Sequence, residues 1–150
     1  MAYDPTAPSQ EEQSHAYVLP WIGLAANGVL LADYTIGFGQ GVDTASLAIT
    51  GAMIFVTVFA HRYDDYFNGL RNVALRWGMA VIALYLFAGA VMGFLNGGNI
   101  LGYWAAAGDL PDLARGNPGF MADGYLLAIL SGLAYHLGFA VRRIRGTGSA

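Results

Sequence analysis

Three histidines and ten acidic residues are the groups in this 150-residue chain with the most obvious chemical potential. His136 falls inside an apolar stretch, about six residues before Arg142 and so roughly 9 Å from the end of a helix. His61 closes a second apolar stretch on the same predicted side. Two histidines at one leaflet invite a tetrapyrrole: a haem b held by two imidazoles, or a chlorin held by His136. The competing reading makes His136 a packing residue beside Tyr135 and His61 an interface anchor beside Arg62 and Tyr63. Tyr85 has the hydroxyl to donate to a quinone or pigment, or simply to a neighbouring helix. His15 lies in an acidic tail and is expected to face water.

The carboxylates suggest different chemistry. Asp33 is expected near the outer end of one apolar stretch, Asp43 just before the next and Asp123 at the start of the last. Adjacent helices would place all three around one outer vestibule, where like charges attract cations and raise one another's pKa. The alternative is that they sit at headgroup level and face water. Asn27 is the clearest polar group within a predicted span, and an intramembrane amide commonly ties two helices together.

These groups are positioned by unusually apolar elements. The composition is 56% hydrophobic and 11% charged, against about 25% charged in an ordinary soluble domain. Four stretches at about 16–36, 44–61, 72–95 and 120–141 approach the roughly 20 residues a helix needs to cross 30 Å of hydrocarbon. The second and third have no polar face, which disfavours a soluble bundle, and no strict alternation, which disfavours a barrel. The expected fold is all-α: a polytopic transmembrane bundle of four helices, with a short interfacial segment between helices three and four. Gly97, Gly98, Gly116, Pro118 and Gly119 punctuate that connection, and Tyr103 and Trp104 suit the membrane interface.

Residues 1–15 read as a mobile acidic tail, unlike the basic start of a secretory signal, and 142–150 as a basic tail. All seven basic residues are arginine. Arg62, Arg71, Arg76, Arg142, Arg143 and Arg145 gather on one predicted side, which places both termini in the cytoplasm by the positive-inside rule. No cluster is large enough to predict nucleic-acid binding. The chain has no cysteine, which excludes thiolate metal sites and redox dithiols. No phosphate loop, zinc-protease motif or calcium loop is present.

Small residues offer the strongest packing pattern. Gly124, Ala128 and Gly132 lead to His136 at four-residue spacing; Gly89 and Gly93 continue to Gly97; Gly28 is followed by Ala32. Such rows allow close helix approach in lipid. The segment 61–71 is expected to form a cytoplasmic loop that docks a partner or lipid headgroups through Arg62, Tyr63, Tyr66, Phe67 and Arg71.

Three functions follow from these features. The first is an accessory membrane subunit without catalytic activity of its own, within an energy-transducing respiratory or photosynthetic assembly. The second is a haem- or pigment-binding subunit using His136. The third is a small oligomeric channel or transporter using the three aspartates. Bound lipid is expected in each.

Overall fold

The computed structural model describes residues 14–59, 64–108 and 123–147. Four helices dominate: α1 (Leu19–Ile36), α2 (Gln40–Phe59), α3 (Asp65–Ala107) and α4 (Gly124–Thr147). Each contains a stretch long and apolar enough to cross a membrane, and no strand occurs among the described residues. The chain is therefore a helical bundle of the multi-pass membrane type.

The helices run alternately up and down. α3 packs along α4, α1 along α2, and α1 also lies against α4, while α2 meets α4 only narrowly. We call the end holding Tyr17, Asp64 and Arg143 the inner end, and the end holding Asp33, Asp43 and Asp123 the outer end. From Asp123 to Arg143, α4 rises about 30 Å at 1.5 Å per residue, the thickness of a hydrocarbon core.

Burial is inverted relative to a soluble bundle. The buried residues of α2 are Ser46, Thr50 and Thr57, while Leu47, Ile49, Phe55 and Phe59 are exposed. Water would favour the reverse, because unburied apolar surface costs free energy there. Lipid removes that cost, and the buried Thr57 hydroxyl bonds to the Met53 carbonyl of its own helix at 2.8 Å.

The helix ends explain where the elements begin and stop. Pro20 lies in the first turn of α1, where a missing N–H costs little. Gly37 closes α1 at φ +77°, donating its N–H to the Asp33 carbonyl; a left-handed cap of this kind favours glycine. Asp64 caps α3 by accepting the Phe67 N–H at 2.6 Å. That cap starts α3 at Asp65, so most of the segment expected as loop 61–71 is its first two turns. Gly97 and Gly98 do not break α3, which continues to Ala107 in place of a separate interfacial segment. Glycine lowers helix stability by only about 1 kcal/mol, too little to end a long helix. Tyr103 and Trp104 belong to this extension.

The inner end holds the apolar core: Ala16, Phe67, Leu70, Ala74, Tyr135 and Phe139. Phe67 meets Phe139 edge-on at 5.3 Å between ring centroids, a favoured aromatic arrangement.

Candidate functional site

The chemistry-bearing residues separate into three regions. The first is an interior set of polar groups on α1, α2 and α4. The Asn27 amide, oriented to satisfy both neighbours, donates to the Ile129 carbonyl at 3.1 Å and accepts from the Leu133 N–H at 3.2 Å. It thus engages a donor and an acceptor on the backbone of α4. The contact requires Gly132, because a Cβ there would collide with the Asn27 side-chain amide. Thr50 lies against the same glycine. Deeper, the Thr57 and Tyr135 hydroxyls share a hydrogen bond of 2.7 Å.

His136 is fully buried among these groups. Its imidazole fills the notch left by the absent side chain of Gly23, and a Cβ at that glycine would fall on the ring. The Pro20 carbonyl approaches the ring, but neither nitrogen completes a hydrogen bond of ordinary geometry among the described residues. The backbone of α1 at Gly23 therefore packs directly against the imidazole. His61, the second expected ligand, lies outside the described residues. Tyr85 donates its hydroxyl to the Asp123 carbonyl at 3.2 Å, tying α3 to the start of α4. No group of three histidine or acidic residues fit to hold a metal occurs among the described residues.

The second region is the outer end. Asp33 and Asp43 lie near Tyr125, whose backbone N–H bonds to Asp123. Each carboxylate is already used by the chain. Asp33 accepts the Phe38 N–H at 2.6 Å and the Gly39 N–H at 3.2 Å, holding the turn between α1 and α2. Asp43 bonds to Thr44. Asp123 accepts the N–H groups of Tyr125 and Leu126 at 2.9 and 3.1 Å and the Tyr34 hydroxyl at 2.8 Å. The Leu126 N–H, then the Tyr34 hydroxyl, hold the Asp123 carboxyl below its usual range. The Asp33 and Asp123 bonds hold a turn and a helix start, while Asp43 bonds within the first turn of α2. Asp33 itself lies within the last turn of α1.

The inner end is the third region. Tyr17 donates to both Asp64 carboxylate oxygens at 3.0 Å. Arg143 donates to the Tyr17 carbonyl at 2.8 Å, and its guanidinium carbon lies 4.8 Å from the Tyr17 ring centroid. Arg71 donates to the Val58 carbonyl at 3.3 Å, near the end of α2, where a cation also suits the helix dipole. Of the residues expected to dock a partner, Phe67 is instead core at 1% exposure and Arg71 is an internal tie. Tyr66 remains exposed. Arg62 and Tyr63 lie outside the described residues.

The expected glycine rows are also redistributed. Gly132 packs closely, but Gly28, Gly89, Gly93 and Gly124 face open space, Ala128 is exposed and Ala32 is half-buried. A four-residue row advances about 40° around the helix per step, so one row cannot stay on one interface. The close approaches are at Gly23, Gly132 and Gly138, where a Cβ at Gly138 would stand 2.8 Å from Trp77 Cγ.

One further surface emerges from the fold. α3 meets the start of α4 at Tyr85, and from Leu86 to Ala107 it continues for about 33 Å. No residue of α3 beyond Gly78 is buried among the described residues. Leu84, Phe87, Val91, Phe94, Gly98, Leu101 and Ala105 recur at alternating spacings of three and four. That is the heptad pattern of a helix–helix seam. Phe87, Phe94 and Leu101 are 68, 82 and 66% exposed. The 3.5-residue period was available in the sequence, but Gly97 and Gly98 divide it when they are read as breakers.

No family model matches the chain, and comparison with curated proteins and with solved structures returns no match.

Proposed function

We propose that the protein is a non-catalytic integral-membrane subunit of a larger assembly, and that the outer half of α3 is where a helix of another subunit docks. The observation that carries this reading is the exposed seam from Leu84 to Ala105. Its lower part overlaps the span of the bundle, and its upper part passes the level at which α1, α2 and α4 end. The candidate span of α3 runs from Asp65 to Asn96, about 48 Å of helix against a hydrocarbon thickness near 30 Å. Tilting relieves such a mismatch only in part. A partner helix would cover the rest, burying Phe87, Phe94 and Leu101 at about 1.5–3 kcal/mol for each side chain removed from water.

The interior supports the same reading. Asn27 and the Thr57–Tyr135 pair join helices, and Asp33 and Asp123 hold a turn and a helix start, roles that suit a structural subunit. In the orientation favoured by the arginines, both chain termini and the inner end face the cytoplasm, and α3 projects from the opposite face. An energy-transducing respiratory or photosynthetic complex is the assembly class we propose, and the co-purifying chains would identify it.

The test is the native mass of the protein extracted from its own membranes in mild detergent. A discrete assembly containing other chains, lost in a Phe94→Glu variant that still inserts, is the expected result. A particle built from this chain alone would overturn the proposal.

A further inference from the structure

The inner end contains a cavity unrelated to the α3 seam. It lies between the first turns of α3 and the arginine-bearing end of α4, with a volume of about 390 Å³. That is within the roughly 300–1,000 Å³ of small-ligand pockets. Gly69, Leu70 and Val73 give it an apolar wall, and Asp65, Tyr66 and Arg142 supply its polar groups.

The charges around it are divided in an informative way. Asp64, Arg71 and Arg143 are engaged by the fold through Tyr17, Phe67 and Val58. Asp65 and Arg142 are exposed, and neither has a hydrogen bond or ion pair among the described residues. They line one cavity without pairing to each other. A ligand suited to both must carry separated negative and positive groups. A guanidinium takes two phosphate oxygens side by side, a tyrosine hydroxyl adds a third donor, and a carboxylate accepts hydrogen bonds from a primary ammonium. α4 reaches Arg142 about 30 Å from Asp123, which is headgroup level for a spanning helix. The apolar wall is then placed for the glycerol end of the acyl chains.

We propose that this cavity binds a phospholipid headgroup carrying a phosphate and a primary ammonium, the phosphate on Arg142 and Tyr66 and the ammonium on Asp65. The inference rests on membrane insertion and is independent of the subunit reading. A purely anionic headgroup would meet repulsion from Asp65. A trimethylated ammonium has no N–H to give it.

The experiment is native mass spectrometry of the full-length protein in mild detergent. Phosphatidylethanolamine, phosphatidylcholine and phosphatidylglycerol with identical acyl chains are titrated in turn. Phosphatidylethanolamine is expected to be retained about tenfold better than either of the others, on the scale of one charge-assisted contact. Arg142→Gln should abolish retention of phosphatidylethanolamine, and Asp65→Asn should abolish its advantage over phosphatidylglycerol. Both residues are exposed, so thermal stability should stay unchanged and separate loss of binding from loss of fold. Gly69→Phe provides a third arm. A Cβ there meets nothing within 4 Å, so the ring can fill the cavity without displacing the helices, and retention should fall. Equal retention of the three lipids, a preference for phosphatidylglycerol, or an unaffected Arg142→Gln variant would each overturn the proposal, leaving only the ordinary lipid belt.

Discussion

Phe67 and Phe94 stand on the same helix and live in different worlds. Phe67 is 1% exposed, wedged between Tyr17 and Phe139, whereas Phe94 is 82% exposed. The inner half of α3 is fixed by a cap at Asp64, by Arg71 on the end of α2, and by a close approach to α4 at Gly138. Beyond Tyr85 the described residues give it no such contacts. One apolar helix thus supplies both a core and an unclaimed surface, and residue type alone does not separate the two roles. The neighbours decide it: a side chain is core where small residues let a second helix approach.

The widest separation between the halves should come from truncating one phenylalanine in each. Phe139→Ala at the inner core is expected to destabilise the bundle by about 3–5 kcal/mol, the usual cost of removing a buried aromatic. Phe94→Ala should leave the stability of the isolated chain within about 0.5 kcal/mol while weakening assembly. Reversible unfolding in bicelles, measured for both variants, would test the contrast. Equal losses would mean that the outer half of α3 is packed by its own chain.

A smaller effect is expected at the glycine that admits Asn27. Gly132→Leu forces either the Asn27 amide or the whole of α1 to shift, with overpacking costs of about 1–3 kcal/mol. Gly93→Leu, on the open outer half, should cost almost nothing. The same unfolding measurement serves, and a Gly132→Leu protein as stable as the parent would remove the close approach from the account.

These pairs also indicate what was legible beforehand. The four helices follow from apolar length and the scarcity of charge, and Asn27 as a link between helices follows from an amide in a span. The start of α3 was harder to read because the Asp64 cap sits in a polar, aromatic run that looks like loop. Its continuation was hidden by two glycines that a long helix tolerates. The inward and outward glycines could not be told apart, since that choice depends on how each helix is rotated. His136 was drawn toward a cofactor by its chemistry, whereas its surroundings are set by Gly23, far away in the chain. Asp33, Asp43 and Asp123 all lie at the outer end, where a carboxylate can serve its own backbone as readily as a vestibule, and only geometry separates the two.

Asn27→Leu should cost less again, about 0.6–2 kcal/mol, the range for interhelical hydrogen bonds within bilayers. The amide engages backbone groups of α4 that can revert to bonding each other within the helix, so its removal orphans neither. Asn27→Asp should be worse than Asn27→Leu, since a carboxylate has no N–H for the Ile129 carbonyl and its charge is costly in lipid. The order of the two variants in an unfolding series is the discriminating readout. If leucine proved the more damaging, the hydrogen bonds would matter more than the avoidance of charge.

The smallest expected effect lies at the outer caps. Asp123 accepts bonds from Leu126, Tyr34 and Tyr125 as a carboxylate, and these hold its pKa below the unfolded value. A depressed pKa means that the unfolded chain takes up the proton first, so the stabilisation is complete above the ordinary carboxylate value of about 3.9. It is then lost progressively as pH falls through the folded value. The site is only partly buried, so screening keeps the contribution small. Comparing the parent with Asp123→Asn between pH 3 and pH 7 isolates it: the two stability curves should converge in acid and separate toward neutrality, with the parent higher. Parallel curves across that window would show that the carboxylate charge is irrelevant to the cap and that its geometry alone holds the start of α4.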